Sequence, residues 1–405
     1  MRLLLITNMY PPHHLGGYEL SCLDVVERLR ARGHDVTVLT TNYRRPGVDD
    51  VVEPHVQRTL DFYWRGDDLY LPGRRGVLAI ERHDQRVLRG ALRAIDPDVV
   101  SVWNMGAMPL SLLSRLIRDG RPLVYHTCND WPALNVQFDP WRPLLARQPL
   151  LGRVAAAAAR VPTELPDLGA SGTFCWVSRS TWMRAEAATP WRFPRSIVVH
   201  SGISHVDFPP VAAPTQPRPW RGRLLYAGRI EGTKSVETAI QALARLPGTT
   251  IDLVGPADEN YLAGLMELAD HLGVRDRITV AVASRRELRD RYLAADAVVF
   301  TSKAEPFGLV PIEAMSCATP AIVAAGGGTT EFVTHERNGL LFPPGDASGL
   351  AAAVRRLEAE PELRLELAVN GLATATEFNV DRLADRLDHA HLDAVAARDD
   401  RGRAG

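Results

Sequence analysis

The chain has 405 residues, more than one hydrophobic core ordinarily serves, so two domains are expected. With 46% hydrophobic residues, 23% charged residues and a net charge of −1, it has the composition of a soluble globular protein, which excludes disordered and fibrous classes. Residues 1–200 carry 25 Arg against 20 Asp and Glu, too small an excess to imply a nucleic acid, though it tolerates an anionic substrate or a loose peripheral membrane encounter.

No apolar run reaches the roughly 18–20 residues that a membrane helix needs. Met1–Asn8 has a brief apolar run, too short for a signal peptide and followed by Pro11 and Pro12 instead of a small-residue cleavage site. It is read as a buried first strand of a cytoplasmic chain. Cys22, Cys128, Cys175 and Cys317 are scattered without metal-type spacing, as expected of a reduced compartment.

Leu3–Thr7 is the first predicted strand, and Pro11–Gly17 a loop that ends in Gly16-Gly17. Tyr18–Ala31 has apolar residues at helical spacing, Gly33 stops it, and Val36–Thr40 is the second strand. Strand, glycine turn, helix and strand make a βαβ unit, without the G-x-G-x-x-G of a dinucleotide site. Residues 43–75 have no clear period and are expected to form loops and short strands. Helix Val87–Ala94, strand Val99–Trp103, helix Ser111–Arg118 and strand Leu123–His126 follow. His126 thus stands at a strand's carboxyl end, where ligands of such sheets collect. An Ala-rich helix is expected over Arg153–Arg160, and short strands over Phe174–Val177 and Ile197–Val199.

Phe208–Trp220 holds five prolines and is read as an interdomain linker. Beyond it the alternation restarts, with strands at Leu224–Tyr226, Thr250–Val254, Ile278–Val282, Ala297–Thr301, Ala321–Val323 and Leu340–Phe342. Helices are expected between them, then at Ala347–Leu357 and near Val380–Ala396. The domain expectation is residues 1–205, a linker at 206–220, a second domain at 221–375, a helix at 376–396 returning to the first domain, and a disordered tail at 397–405.

Two stretches carry chemistry. In Ser302–Met315, Pro306 and Gly308 forbid regular structure, and Pro311 suits the first position of a new helix. The backbone N–H groups around Phe307, Gly308 and Leu309 then form an anion site at a helix N-terminus. Glu305 precedes that helix and Glu313 lies one turn into it, facing the same crevice. In Tyr226–Ser235, Gly228 follows a strand, and Arg229 and Lys234 can both reach one anionic group such as a diphosphate.

Together with Gly16-Gly17, Gly327-Gly328 and Glu331, and with Asn338–Asp346, these stretches resemble the retaining glycosyltransferases of family 4. The resemblance implies the GT-B fold, two Rossmann-like doubly wound α/β domains facing a central cleft, with the donor held by the second. It implies that Arg229 and Lys234 neutralise the diphosphate of a nucleotide sugar, UDP- or GDP-linked. Glu305 and Glu313 match the family's paired glutamates, the first near the donor sugar and the second on the ribose. Gly16 and Gly17 match the glycine loop of the first domain, and His126 the histidine near the sugar and the incoming acceptor hydroxyl. Partners would be the nucleotide sugar and a small-molecule, glycan or lipid acceptor.

Ser235 stands where the family often has Gly, Ala318-Thr-Pro320 where a Gly often precedes the strand, and Val199–Ile203 where many members have an Asn-Gly turn. Asp96-Pro-Asp98 matches a metal-holding D-x-D pattern but sits at the turn into a strand. No His/Asp cluster in the sequence argues for a metal, so neither metal nor other cofactor is expected. Gly326–Gly328 alone is a turn signal. Lys303 has no role, and Trp131, Trp141, Trp182 and Trp191 belong either to the core or to an acceptor site. A sugar-nucleotide 2-epimerase of the same architecture and a non-catalytic sugar-nucleotide-binding protein are the alternatives.

Overall fold

A computed structural model describes residues 1–65, 68–141, 157, 160–162 and 164–404. The chain divides into two compact units, Met1–His200 with Leu383–Gly405, and Ser201–Arg382.

The first unit is built on a seven-stranded sheet: β1 (Arg2–Thr7), β2 (Asp35–Thr41), β3 (Val56–Leu60), β4 (Val99–Val102), β5 (Leu123–Thr127), β6 (Thr173–Trp176) and β7 (Ser196–Val198). The strands lie in the order β3-β2-β1-β4-β5-β6-β7, every neighbouring pair parallel. Register is direct, with Leu4 of β1 opposite Thr37 on one side and Val100 on the other. Helices cover both faces of such a sheet, so its strands need apolar residues at every position. Leu3, Leu4, Leu5 and Ile6 are accordingly all buried. Burying each of these side chains contributes roughly 1.5–3 kcal/mol.

The second unit repeats the plan with β8 (Arg223–Ala227), β9 (Thr250–Val254), β10 (Ile278–Ala281), β11 (Ala297–Phe300), β12 (Ala321–Ala324) and β13 (Leu340–Phe342). Their order is β10-β9-β8-β11-β12-β13, again parallel throughout. Side-chain caps start several helices: Asp258 accepts from Tyr261 N, and Ser284 and Glu287 form a capping box. In both sheets the strand order reverses beside the first strand of the unit. Loops at the carboxyl ends of β1 and β4, and of β8 and β11, therefore diverge and leave room for a ligand.

Several elements differ from expectation. The 43–75 region does supply the short strands expected of it, β3 and a small hairpin pairing Trp64 with Leu69, but the helix expected at Val87–Ala94 runs from Arg74 to Ile95. Its early turns were hidden because two buried positions there are acidic, Glu81 and Asp84. Helices Trp131–Phe138, Arg179–Ala188 and Pro361–Glu377 were not anticipated. The proline-rich segment is not a free tether. Val211 N donates to Ser316 O, and the Arg218 guanidinium donates to the carbonyls of Leu293 and Ala318, all within the second unit.

The final helix, Val380–Ala404, continues through most of the 397–405 segment expected to be disordered. Its stretch after Arg382 packs on the first unit, where Asp385 and Asp388 pair with Arg32, Asp388 pairs also with His34, and His391 Nε2 lies 2.9 Å from Ser101 Oγ. The expected helix Arg153–Arg160 lies largely outside the described residues. Among the described residues, no helix is long and apolar enough to cross a membrane.

Candidate active site

In the second unit, loops from three adjacent strands meet at Glu305. The loop after β8 brings Lys234, whose Nζ lies 2.7 Å from Glu305 Oε2. It is held there by Thr301, at the end of β11, whose hydroxyl donates to the Lys234 carbonyl at 2.7 Å. The loop after β12 brings the glycine run, and Gly328 N donates to Glu305 O at 2.8 Å. A Cβ on Gly327 would lie 2.1 Å from Glu305 O, and one on Gly326 2.1 Å from Lys303 O. These two glycines are therefore steric requirements for holding the Ser302–Glu305 loop. Gly228 (φ 128°) needs glycine for its own backbone, and a Cβ on Gly255 would lie 2.0 Å from the Gly228 carbonyl oxygen.

The remaining expected residues separate. Arg229 does not join Lys234 on a shared partner: its guanidinium lies 2.6 Å from Glu231 Oε2 and its side chain is half exposed. Its carbonyl accepts from the Tyr226 hydroxyl at 2.7 Å, which fixes the backbone of the turn. Gly308 (φ 96°) caps the helix Leu309–Ser316, and a Cβ there would meet Thr329 Cγ2 at 2.8 Å. The helix thus begins at Leu309, two residues before Pro311, which still falls in the first turn where no intrahelical N–H bond is lost. The Phe307 ring is buried against Phe332 and Phe378, with centroids 4.9 and 5.7 Å away, leaving only its backbone for a ligand.

Glu313 accepts from the Tyr292 hydroxyl at 2.7 Å. Burial raises its carboxyl pKa, while that hydrogen bond and the charge of Arg285 oppose the rise. Arg285 in turn pairs with Asp207. Glu305 and Glu313 therefore have separate partners, and Tyr292 and Glu231 are neighbours that the sequence did not reveal.

The first unit has an analogous junction after β1, β4 and β5. Gly16 is the N-cap of the helix Gly17–Ala31, and its N–H donates to Glu19 Oε2 at 3.0 Å. Asn104 Nδ2 donates to Glu19 Oε1 at 3.4 Å, Asn129 Nδ2 to Asn104 Oδ1 at 3.3 Å, and Asn8 Nδ2 to Gly106 O at 3.1 Å. Glu19, Asn104 and Asn129 were missed because polar residues in loops and first turns carry no periodic signal.

His126 is placed differently from the sequence expectation of a substrate-facing side chain. It is fully buried, 4.5 Å from the Trp103 ring centroid, and its Nε2 lies 3.1 Å from Cys128 Sγ. Burial pulls its pKa down to about 3 against the carbonyl of Cys175, with His391 pulling further, so the imidazole is neutral. Of the four tryptophans left open, Trp131 and Trp191 lie in the first unit's core with Trp182 packed against it, and Trp141 is buried in a smaller cluster. Asp96 and Asp98 pair with Arg2, and Asp96 also with Arg121, so the D-x-D spacing serves a structural ion-pair network. A grouping that the sequence did not reveal is that of Asp61, His83 and Asp84, which converge in the first unit.

Comparison with known proteins assigns both units. Residues 15–207 match the family model Glycosyltransferase Family 4, and residues 220–374 match Glycosyl transferases group 1. The glycogen synthase of Mycobacterium tuberculosis is 28% identical over 394 residues, spanning 89% of this chain and 87% of that protein. The structure of sucrose-phosphate synthase from Thermosynechococcus elongatus matches with a TM-score of 0.73 at 23% identity, covering 98% and 99% of the two chains. Anabaena HepE, solved in complex with UDP-glucose, matches at 0.68 with 21% identity, covering 96% and 98%. The fold of these structures is GT-B, and two parallel sheets of seven and six strands are what this chain presents. The chain is a nucleotide-sugar-dependent enzyme of the retaining glycosyltransferases of family 4.

Proposed function

We propose that this enzyme moves a hexose from a nucleotide diphosphate sugar to an acceptor hydroxyl, without a catalytic metal, and that Lys234 and Glu305 are its central pair. The supporting observation is the 2.7 Å contact between them at the point where the second sheet reverses its strand order. Lys234 supplies a positive charge for the diphosphate, and Arg229 joins it by turning its exposed guanidinium away from Glu231. The N-terminus of Leu309–Ser316 adds backbone N–H groups of Gly308 and Leu309 and a favourable dipole. Glu305 orients Lys234 and accepts hydrogen bonds from the sugar hydroxyls, and Glu313 takes the ribose hydroxyls.

In the transfer step, the bond from the anomeric carbon to the phosphate oxygen breaks. The acceptor oxygen bonds to the same face of that carbon, and its proton passes to the departing phosphate. Charge builds on the phosphate, so donors already aimed there favour the transition state over the ground state. His126 acts as a positioning residue, because its buried ring packs under the β5 exit loop, between Trp103 and Cys128.

UDP-glucose, present in the HepE structure, is the first donor to try, with GDP- and ADP-sugars beside it. Thermal shift with each nucleotide, then released nucleotide and anomeric configuration of the product with candidate acceptors, tests the reading. One nucleotide released per α-linked product from an α-linked donor is expected. Conversion of the sugar nucleotide to its 2-epimer with no acceptor consumed would overturn it in favour of the epimerase.

A further inference from the structure

Outside the donor region, we infer that the first unit carries a site for a divalent transition-metal cation, formed by Asp61, His83 and Asp84. One ligand atom from each of these residues lies within 4.8 Å of the other two. Ligands at about 2.0–2.2 Å from a tetrahedral zinc stand about 3.3–3.6 Å apart, so about an ångström of closure by side-chain rotation brings all three onto one ion. Asp61 is in the loop leaving edge strand β3, and His83 and Asp84 are on the helix Arg74–Ile95, so an ion would fasten the edge of the sheet to the helix that covers it.

Two observations independent of the clustering point to a cation. Asp84 is fully buried, and its Oδ2 has no hydrogen-bond partner, although Oδ1 accepts from Asp61 N at 2.8 Å. A buried carboxylate oxygen without a partner is costly, and a cation is the partner that answers a negative group. The second is the imidazole. His83 Nε2 lies 2.8 Å from the Thr59 carbonyl oxygen, which can only accept, so Nε2 carries the proton and Nδ1 offers its lone pair. A histidine that donates its other N–H to a carbonyl is the usual arrangement of a metal ligand. Asp61 is oriented similarly, with Asn42 Nδ2 donating to its Oδ1 at 2.6 Å.

One imidazole nitrogen with two carboxylates suits zinc or manganese better than the all-oxygen sets preferred by calcium and magnesium. The ion's role is structural, distinct from glycosyl transfer. The full-length protein, stripped with EDTA and dialysed, is titrated with zinc chloride and separately with manganese chloride. One ion per chain is expected, with a rise in Tm of about 5 °C at a hundred times Kd. Both effects disappear in Asp61→Asn and His83→Gln, whose polar replacements at half-buried positions leave the fold intact by circular dichroism. Absence of a one-to-one ion, or zinc binding and Tm rise unchanged in both variants, overturns the site and marks any bound metal as adventitious.

Discussion

Lys234 and Glu305 show how much rests on single side chains. They are 71 residues apart in the chain, yet their contact joins the loops of β8 and β11. If Lys234 stabilises charge on the leaving diphosphate, Lys234→Ala lowers kcat by about 10²–10³ while the fold stays intact. Steady-state kinetics decide this, and an unchanged kcat would remove Lys234 from the chemistry. Histidine burial makes a separate prediction. The pKa of His126 is about 3, and that of His391 is lowered to about 4 by burial against the charge of Asp388, while both titrate near 6.5 when unfolded. Below about 6.5 the unfolded chain takes up these protons first. Their contribution is thus complete above that pH and is lost as pH falls toward the folded values. Denaturant titrations between neutral and acid pH should show this loss, and His391→Gln should flatten the slope.

At the scale of elements, the carboxyl-end loops are held by backbone packing that tolerates no Cβ. Gly327→Ala would force the β12 loop off Glu305, and Gly308→Ala combines φ of 96° with a contact to Thr329 Cγ2 at 2.8 Å. The strained backbone alone costs about 1–2 kcal/mol. Urea unfolding followed by far-ultraviolet circular dichroism should show at least that loss for each, together with reduced donor affinity. The helix Arg74–Ile95 contains a second buried acid, Glu81, which accepts from the Tyr63 hydroxyl at 2.8 Å and from Ser111. Burial, then the charge of Asp139, pushes its pKa up to about 8 against those two hydrogen bonds. Its contribution is complete below the ordinary carboxyl value and is lost as pH rises through about 8, the opposite sign to the histidines. Glu81→Gln keeps both neighbours and should hold its stability above that pH better than the parent. Equal decline of both would contradict a buried neutral Glu81. These elements were only partly legible beforehand. Strands such as Ala321–Ala324 and Leu340–Phe342 match expectation because continuous apolar runs bounded by turns encode them locally. The early part of Arg74–Ile95 was not legible, because inward-facing acids break its apolar period.

At the scale of the molecule, the last helix is assigned from Leu383 onward to the unit formed by the first 200 residues. Ending the chain after Arg382 would remove the partners of Arg32 and His34 and the His391–Ser101 contact. Seven of the eight tryptophans precede residue 200, and only Trp220 lies in the second unit. Tryptophan fluorescence therefore follows the first unit. A truncated chain should lose stability in the fluorescence transition while nucleotide binding to the second unit persists. Coincident loss of both would show instead that the units do not unfold separately.

The sequence by itself determined the alternation of strands and helices, the two-part organisation and the stretches that bear Gly228, Lys234, Glu305 and Gly308. Such features follow from local rules: apolar runs for strands buried on both faces, and glycine where backbone must turn. Tertiary structure alone decided which of these residues meet. It joined Lys234 to Glu305 but sent Arg229 to Glu231 and Glu313 to Tyr292. It buried His126 and gathered Glu19 with Asn104, and Asp61 with His83 and Asp84. The reason is strand order. Parallel sheets place the ends of β1, β4 and β5, and of β8, β11 and β12, side by side across long crossovers, and no local pattern in the chain states that adjacency.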